Sequence, residues 1–220
     1  MNDLPSHSVW RYLSWPNRIS LLRLLLIAPF VILMLNHRQH DPQFRYLALG
    51  IFGLMAVSDF LDGFLARRMK LSSKLGAILD PIADKALIIC AAILLALPES
   101  SVPGAILPNW VVVLIVGKDL WVVAGFVVMV LLTRKLHVQP NIFGKMATAA
   151  QLLMVIAILL NPELNTLGRQ VGTRLAQVLW SVVAALCVLA ALTYTRLGLR
   201  FVLADIKHHE PESREDKMSS

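Results

Sequence analysis

The sequence predicts an all-α integral membrane protein with six transmembrane helices and an N-terminal amphipathic helix at the membrane surface. Of its 220 residues 57% are hydrophobic, compared with about 45–50% in soluble globular proteins, and the mean hydropathy is +0.66. Six apolar runs approach the ~20 residues that a helix needs to cross a bilayer. They cover residues 19–35, 44–66, 75–97, 110–132, 143–160 and 175–194.

The predicted surface helix covers residues 5–15, where apolar and aromatic residues lie among polar ones. Such a composition suits a helix in the plane of the interface, with its aromatic rings at headgroup level. Pro16 ends this segment, because proline lacks the N–H and restricts the residue before it. No apolar core of signal-peptide length precedes the first span, so we expect that span to be retained.

The connections and the basic residues predict the topology. Helix breakers fill the segments HRQHDPQ, PESSVPG, VQPN and NPELNTLG between the runs. We place the membrane domain at residues 1–202 and predict a polar, disordered cytoplasmic tail at 203–220. The chain has 21 Lys and Arg against 14 Asp and Glu, and most of the cations, among them Arg67, Lys145, Arg196 and Arg200, fall on one predicted face. The positive-inside rule makes that face cytoplasmic, and this explains the basic excess better than nucleic acid, which we do not expect as a partner.

Four aspartates lie near the end of the second apolar run and near the start of the third. Asp59 and Asp62 are three residues apart, and Asp80 and Asp84 are four apart, so the members of each pair share a helical face. A charge at the centre of a membrane helix costs about 2.5–3.5 kcal/mol or more and indicates function. If the two helices are antiparallel neighbours, all four carboxylates converge and repel one another unless cations are bound. Oxygen ligands alone suit Mg²⁺, Mn²⁺ or Ca²⁺ rather than zinc.

Small residues accompany these aspartates. Gly63, Ala66 and Gly76 would let a flat ring or a phosphate approach the backbone. Arg67 can pair with a phosphate through its planar guanidinium. Two alternatives remain open. Gly63 could serve ordinary helix packing, and the guanidinium of Arg67 could reach the lipid headgroups.

The full pattern resembles the signature of the CDP-alcohol phosphotransferase family of membrane enzymes, with all eight fixed positions and all spacings matched. It reads Asp59-x-x-Asp62-Gly63-x-x-Ala66-Arg67, then eight residues, then Gly76-x-x-x-Asp80-x-x-x-Asp84.

The resemblance implies a catalytic site with two divalent cations, Mg²⁺ or Mn²⁺, bridging the diphosphate of a CDP-linked substrate. It implies that Asp84 is the catalytic base as well as a metal ligand. The implied metal ligands are Asp59, Asp62, Asp80 and Asp84, and the implied CDP-binding residues are Asp62, Gly63, Ala66, Arg67 and Gly76.

Two further stretches resemble the phosphatidylglycerophosphate synthase branch of this family. Residues 16–23, PNRISLLR, are similar to its P-N-x-x-[ST]-x-x-R opening, and residues 144–151, GKMATAAQ, are similar to its G-K-x-x-T-x-x-Q. In the second stretch Lys145, Thr148 and Gln151 are predicted to form one polar stripe facing the cavity. Lys118 and Asp119 stand where relatives carry an arginine and an acid, and the pair either contacts the acceptor or neutralises itself. The candidates for binding the acceptor phosphate are Arg23, Lys118, Arg134 and Lys145.

These resemblances imply transfer of a phosphatidyl group from CDP-diacylglycerol to an acceptor hydroxyl, with release of CMP. We expect glycerol 3-phosphate as the acceptor, which makes phosphatidylglycerophosphate in phospholipid biosynthesis. Phosphatidylglycerol, the acceptor of cardiolipin synthases of the same fold family, stays open because the fourth and fifth runs resemble those enzymes as well. A homodimer in a bacterial-type cytoplasmic membrane, with its site facing the cytoplasm, is also expected.

A divalent-cation transporter is a remote alternative, since membrane carboxylates can mark an ion path. All four aspartates lie at one end of two adjacent runs, with no acidic set deeper in the other helices. Transport also leaves Gly63, Ala66, Arg67 and Gly76 unexplained.

Overall fold

The computed structural model describes the backbone at residues 15–36, 42–69, 76–133 and 142–209 and the side chains at 21–36, 42–58, 85–125 and 142–200. Within these ranges the regular structure is entirely helical. The helices are α1 (Trp15–Asn36), α2 (Gln43–Met69), α3 (Gly76–Ala96), α4 (Asn109–Thr133), α5 (Ile142–Leu159), α6 (Asn161–Thr166) and α7 (Val171–His209).

Each of the six predicted apolar runs coincides with one of the longer helices. Two segments of the described chain, Ile142–Leu159 and Val171–Arg200, are long and apolar enough to cross a membrane. Shorter apolar segments occupy Leu21–Asn36, Gln43–Ser58 and Lys85–Ala96. The all-α prediction is therefore confirmed for the described residues.

The structure differs from the prediction in the last third of the chain. The connection predicted as irregular contains the short helix α6, because Pro162 lies in its first turn, where a missing N–H breaks no helical hydrogen bond. Helix α7 continues to His209, seven residues into the segment predicted to be disordered. The first breaker after residue 202 is Pro211, which explains this longer helix. The predicted interfacial helix lies outside the described residues except for Trp15, where α1 begins.

Residues 1–108 and 152–177 form one compact unit, in which α1 packs against both α2 and α3. The ring centroids of Phe30 on α1 and Phe52 on α2 are 5.8 Å apart. Met34, Met55 and Leu87 are also fully buried. Helix α1 thereby holds the two helices that carry the aspartates in one unit.

Residues 109–151 and 178–220 form a second compact unit. A methyl group added at Gly144 of α5 would lie 3.2 Å from the Tyr194 Oη of α7. Seven residues further along α5, the Gln151 amide meets Cys187, seven residues earlier on α7. The two helices therefore run antiparallel in a fixed register.

Large apolar side chains are exposed along several helices. Leu25, Val113 and Leu120 are 64%, 69% and 65% exposed. Soluble proteins rarely present extensive apolar surface to water, whereas such side chains suit contact with lipid.

Candidate functional site

The acidic motif is divided between two helices of the first unit. Positions 59 to 67 lie in the C-terminal part of α2, and positions 76 to 84 lie at the start of α3. Since both segments are helical, positions 59 and 62 share one face of α2, and positions 80 and 84 share one face of α3, as predicted. The side chains of the motif lie outside the described residues, so their mutual distances remain predictions.

The metal site is likewise a prediction. Among the side chains that the structure describes, no group of three or more His, Cys, Asp or Glu residues could hold a metal ion. The four aspartates are not among those side chains, so the two-cation hypothesis rests on the residue types and on their helical spacing.

Arg23 and Lys118, two of the four acceptor candidates, are buried. Arg23 of α1, in the first unit, is 2% exposed, and Lys118 of α4, in the second unit, is 6% exposed. Lys118 Nζ lies 2.9 Å from the Asp119 Oδ1 carboxylate oxygen. The structure thus favours the alternative in which this pair neutralises itself, and an acceptor phosphate would compete with Asp119 for Lys118.

The residues of the predicted polar stripe on α5 differ in exposure, and that they face one cavity stays a prediction. Lys145 is exposed, but the Thr148 hydroxyl donates a hydrogen bond to the Gly144 carbonyl of its own helix at 3.2 Å. Gln151 is fully buried, and its Nε2 donates to Cys187 Sγ at 3.4 Å. The packing of α5 against α7 withdraws Gln151 from solvent. Arg134, the fourth acceptor candidate, lies outside the described residues.

An open, largely apolar depression of about 260 Å³ lies along the C-terminal part of α7. Its described lining consists of Thr193, Arg196, Leu197 and Arg200. Sequence reasoning counted both arginines only as cytoplasmic cations. The four-residue spacing of two arginines after a threonine was the available signal for a shared face.

A separate charged cluster, which we call the Arg45 junction, consists of Arg45, Tyr46, Leu159 and Glu163 in the first unit. Arg45 is 6% exposed, and its Nη1 donates to the Leu159 carbonyl at 2.8 Å and to Glu163 Oε2 at 3.0 Å. Its Nη2 donates to Glu163 Oε1, to which the Tyr46 hydroxyl also donates, at 2.5 Å. These bonds tie the start of α2 to the end of α5 and to α6.

The electrostatics of the junction keep Glu163 ionised. Burial raises the pKa of the Glu163 carboxyl, but hydrogen bonds from Arg45 and Tyr46 and the charge of Arg45 outweigh it, so the pKa lies below its ordinary value. Each charge of the pair is thus already matched. The Arg45 junction has the features of a structural ion pair and offers no open cation to a substrate.

The apolar helices suit a membrane-embedded protein, and the two acidic pairs of the sequence lie on two of these helices. The chain belongs to the CDP-alcohol phosphatidyltransferase family, whose model matches residues 13–192. The family predicted from the aspartate signature is thereby confirmed, and the match includes the whole signature.

The chain is similar to curated relatives whose names give two different activities. The chloroplastic CDP-diacylglycerol–glycerol-3-phosphate 3-phosphatidyltransferase 1 of Oryza sativa subsp. japonica is 35% identical over 174 residues, 71% of this chain and 49% of that protein. The CDP-diacylglycerol–glycerol-3-phosphate 3-phosphatidyltransferase of Cereibacter sphaeroides is 44% identical over 109 residues, 50% of this chain and 47% of that protein. The chain thus spans about half the length of these two. The cardiolipin synthase (CMP-forming) of Streptomyces coelicolor is 36% identical over 141 residues, 63% of this chain and 61% of that protein.

Proposed function

We propose that this protein transfers the phosphatidyl group of CDP-diacylglycerol to the hydroxyl of glycerol 3-phosphate, releasing CMP and forming phosphatidylglycerophosphate. The observation that carries the proposal is the complete aspartate signature, divided between α2 and α3, in a chain that belongs to this family. The names of the Oryza and Cereibacter relatives support the choice of acceptor.

In this proposal the residues at the end of α2 and the start of α3 bind the donor. Two divalent cations, Mg²⁺ or Mn²⁺, would neutralise the donor diphosphate and lower the pKa of the attacking hydroxyl. Gly63, Ala66 and Gly76 leave room beside the backbone for cytidine, and Arg67 pairs with a phosphate. The cation ligands are Asp59, Asp62, Asp80 and Asp84, and Asp62 also belongs to the CDP-binding set.

Asp84 takes the proton of the acceptor hydroxyl. The hydroxyl oxygen attacks the phosphorus that carries the diacylglycerol oxygen, a new P–O bond forms, and the bond from that phosphorus to CMP breaks. A carboxylate near a cation has a low pKa and is a weak base, so this role requires an acceptor hydroxyl that is itself acidified.

The four candidates for binding the acceptor phosphate are Arg23, Lys118, Arg134 and Lys145. Of the three candidates in the described part of the chain, Arg23 is the most deeply buried, at 2% exposure inside an apolar helix, and an ionisable residue in such a helix is a candidate for a functional site. Lys145 is exposed and can reach an anion, whereas Lys118 is engaged by Asp119. Arg134 completes the set.

We place the protein in the membrane as a homodimer with six spans, α1 to α5 and α7. The exposed leucines and valines of these helices support contact with lipid. The excess of basic residues on one predicted face supports a cytoplasmic site in a bacterial-type inner membrane. Residues 5–15 would lie in the interface, and the end of the chain would extend into the cytoplasm.

The second candidate function is cardiolipin synthesis with phosphatidylglycerol as the acceptor. The observation in its favour is the similarity to the Streptomyces coelicolor cardiolipin synthase. Both reactions use the same donor and release CMP, so the aspartate signature supports them equally.

The proposal is tested by measuring CMP release from CDP-diacylglycerol by the purified protein in detergent, with Mg²⁺ or Mn²⁺ and either acceptor. We expect release that requires both the cation and glycerol 3-phosphate. Failure to release CMP with any alcohol acceptor would overturn the enzyme assignment. Cation flux in liposomes without CMP release would instead support transport.

A further inference from the structure

We propose that Arg23 is a positioning residue of the aspartate site, whose buried guanidinium acts as a fixed counter-charge to the carboxylates of α2 and α3. The inference rests on the proposed function, and it gives Arg23, a candidate for the acceptor phosphate, a role at the cation site instead. It concerns the first unit alone, in which α1 packs against both α2 and α3.

Arg23 lies at the same depth in the first unit as position 59 of α2. Helices α1 and α2 are joined by residues 37–42 alone, and so short a connection makes them antiparallel. Their contact at Phe30 and Phe52, whose ring centroids are 5.8 Å apart, fixes the register. Arg23 comes seven residues before Phe30, and Asp59 comes seven residues after Phe52. Seven residues make about two turns, or about 10 Å, in the same direction along both helices, so the two positions are level.

Position 59 also lies on the face of α2 that packs inside the unit. The buried residues of this helix recur at alternating spacings of three and four, which marks one helical face, and they are Arg45, Ala48, Phe52 and Met55. The same spacing continues to Asp59 and Asp62. The buried face of α1 contains Arg23, Phe30 and Met34. Arg23 and position 59 therefore occupy the buried faces of two helices in contact, at one level.

The second acidic pair lies on the buried face of α3. Leu87 and Ile88 of this helix are buried, and Asp84 comes three residues before the first and four before the second. Asp80 is one further step of four residues, so both acidic positions share that face. Since α1 packs against α3 as well as against α2, Arg23 is a basic residue on the helix that contacts both helices of the acidic motif.

A buried guanidinium and a set of carboxylates each require opposite charge nearby. Arg23 is 2% exposed, and a buried charge is costly unless an opposite charge or hydrogen bonds compensate it. The buried Arg45 of the same unit follows this rule through its ion pair with Glu163. At the level of Arg23, the facing helix carries Asp59. The aspartates are permanent parts of the chain, whereas an acceptor phosphate is present only during turnover.

A fixed counter-charge has a defined effect on cation binding. While no cation is bound, Arg23 reduces the repulsion among the four carboxylates. When Mg²⁺ or Mn²⁺ is bound, the same positive charge repels the cation. Removal of the charge should therefore destabilise the cation-free protein and make cations bind more tightly. A residue that serves only the acceptor phosphate would leave the affinity for cations unchanged.

The test measures thermal unfolding of the protein freed of divalent cations, with Mn²⁺ alone as the probe and no substrate present. It compares the wild type with R23Q, which loses the charge, and with R23K, which retains it. Arg45→Gln is the matched control, since Arg45 is also a buried arginine of the first unit. Arg45 comes fourteen residues before Asp59 on α2, which is about 21 Å along the helix and about twice the screening length of ~10 Å at 0.1 M salt.

Without Mn²⁺, we expect R23Q to unfold at a lower temperature than the wild type. Its half-maximal thermal shift should occur at a Mn²⁺ concentration about threefold or more below that of the wild type, because a like charge has been removed. R23K and R45Q should respond at the wild-type concentration. An unchanged or higher concentration for R23Q, or the same decrease in R23K or R45Q, would overturn the proposal.

Turnover at saturating Mn²⁺ separates this role from binding of the acceptor. The KM of R23Q for glycerol 3-phosphate should change less than about twofold. A rise of about tenfold or more, the loss of one strong contact, together with an unchanged response to Mn²⁺, would assign Arg23 to the acceptor phosphate and overturn the counter-charge.

A double-mutant cycle in cation-free protein keeps the proposal testable if Mn²⁺ shifts none of the proteins, a result that would contradict the two-cation site of the proposed function. Asp59→Asn should raise the unfolding temperature more in R23Q than in the wild type, because the carboxylate that it removes has lost its counter-charge. In R45Q it should have the same effect as in the wild type.

An equal effect of D59N in all three backgrounds would overturn the counter-charge, whereas the expected difference would retain it even though the proposed function had failed. If R23Q does not fold without cations, recovery of folded R23Q/D59N supports the proposal and the absence of that recovery overturns it.

Discussion

The two ends of α7 contain polar groups that are satisfied in different ways. At its start, the side-chain oxygen Oδ1 of Asn165 accepts hydrogen bonds from the Gly172 N–H at 2.9 Å and the Thr173 N–H at 3.3 Å. Further along the helix, Arg196 and Arg200 are exposed, and no described residue forms an ion pair or a hydrogen bond with them. The contrast separates polar groups that are matched inside the protein, and that maintain the fold, from charged groups at its surface.

The largest expected effect comes from replacing one carboxylate that is proposed to act in catalysis, and comparing it with one that is paired inside the protein. Asp84→Asn should lower kcat by about 10²–10⁴-fold, the usual contribution of a general base, while the unfolding temperature stays near that of the wild type. Glu163→Gln should leave kcat unchanged, because that carboxylate is already paired with Arg45. CMP release and thermal unfolding, measured on both variants, check this expectation. Full activity of D84N would remove Asp84 from the mechanism.

The second largest effect is expected at the start of α7, where Asn165 accepts hydrogen bonds from Gly172 and Thr173. A Cβ at Gly172 would lie 2.6 Å from the Asn161 carbonyl oxygen, a backbone atom that cannot move aside cheaply. We therefore expect Gly172→Ala to destabilise the protein by about 1–3 kcal/mol, the usual range for overpacking. The measurement is thermal or denaturant unfolding in detergent.

Gly50→Ala is the matched control for this substitution. A Cβ at Gly50 of α2 would meet nothing within 4 Å, and alanine favours the helix over glycine. Equal destabilisation by the two substitutions would contradict the close approach at Gly172.

A smaller loss of stability is expected when the ion pair of the Arg45 junction is removed. Glu163→Gln removes the charge that faces Arg45, which is 6% exposed and cannot turn fully to water. The cost should be about 1–2 kcal/mol, between the values for exposed and for buried pairs. A double-mutant cycle with Arg45→Met measures the coupling directly. A coupling energy of zero would show that the pair contributes nothing to folding.

The smallest effect is a change with pH. The folded state lowers the pKa of Glu163, so its stabilisation is complete above the ordinary carboxyl value of 4.5 and is lost as pH falls through the lower folded value. The difference in unfolding temperature between the wild type and E163Q should thus be constant from pH 6 to 8 and should shrink below pH 4.5. A difference that grows in acid would contradict the assigned ion pair.

Much of the fold could be predicted because the apolar runs are long and separated by breakers. The sequence does not predict helix α6, because Pro162 follows an apolar run and indicates an interruption, whereas proline also starts helices. The polar composition after residue 202 predicts disorder, whereas α7 continues to His209, and no breaker lies between residue 202 and Pro211.

The site could be predicted where it depends on spacing along one helix, as for Asp59 with Asp62 and Asp80 with Asp84. The site could not be predicted where it depends on which face of a helix packs against a neighbouring helix. The register of α5 against α7 buries Gln151, and no pattern in the sequence specifies that register. Lys118 and Asp119 are adjacent in the chain, where helical side chains do not ordinarily face each other. Their ion pair could therefore not be predicted from the sequence.

The most direct measurement is the identity of the lipid product. Purified protein is incubated with CDP-diacylglycerol, Mg²⁺ and both acceptors at equal concentrations. The glycerol 3-phosphate is isotope-labelled and the phosphatidylglycerol is unlabelled, and the lipids are analysed by mass spectrometry. We predict labelled phosphatidylglycerophosphate in amounts matching the CMP released, and its loss in D84N. Cardiolipin as the product, with no label in any phospholipid, would contradict the proposed acceptor.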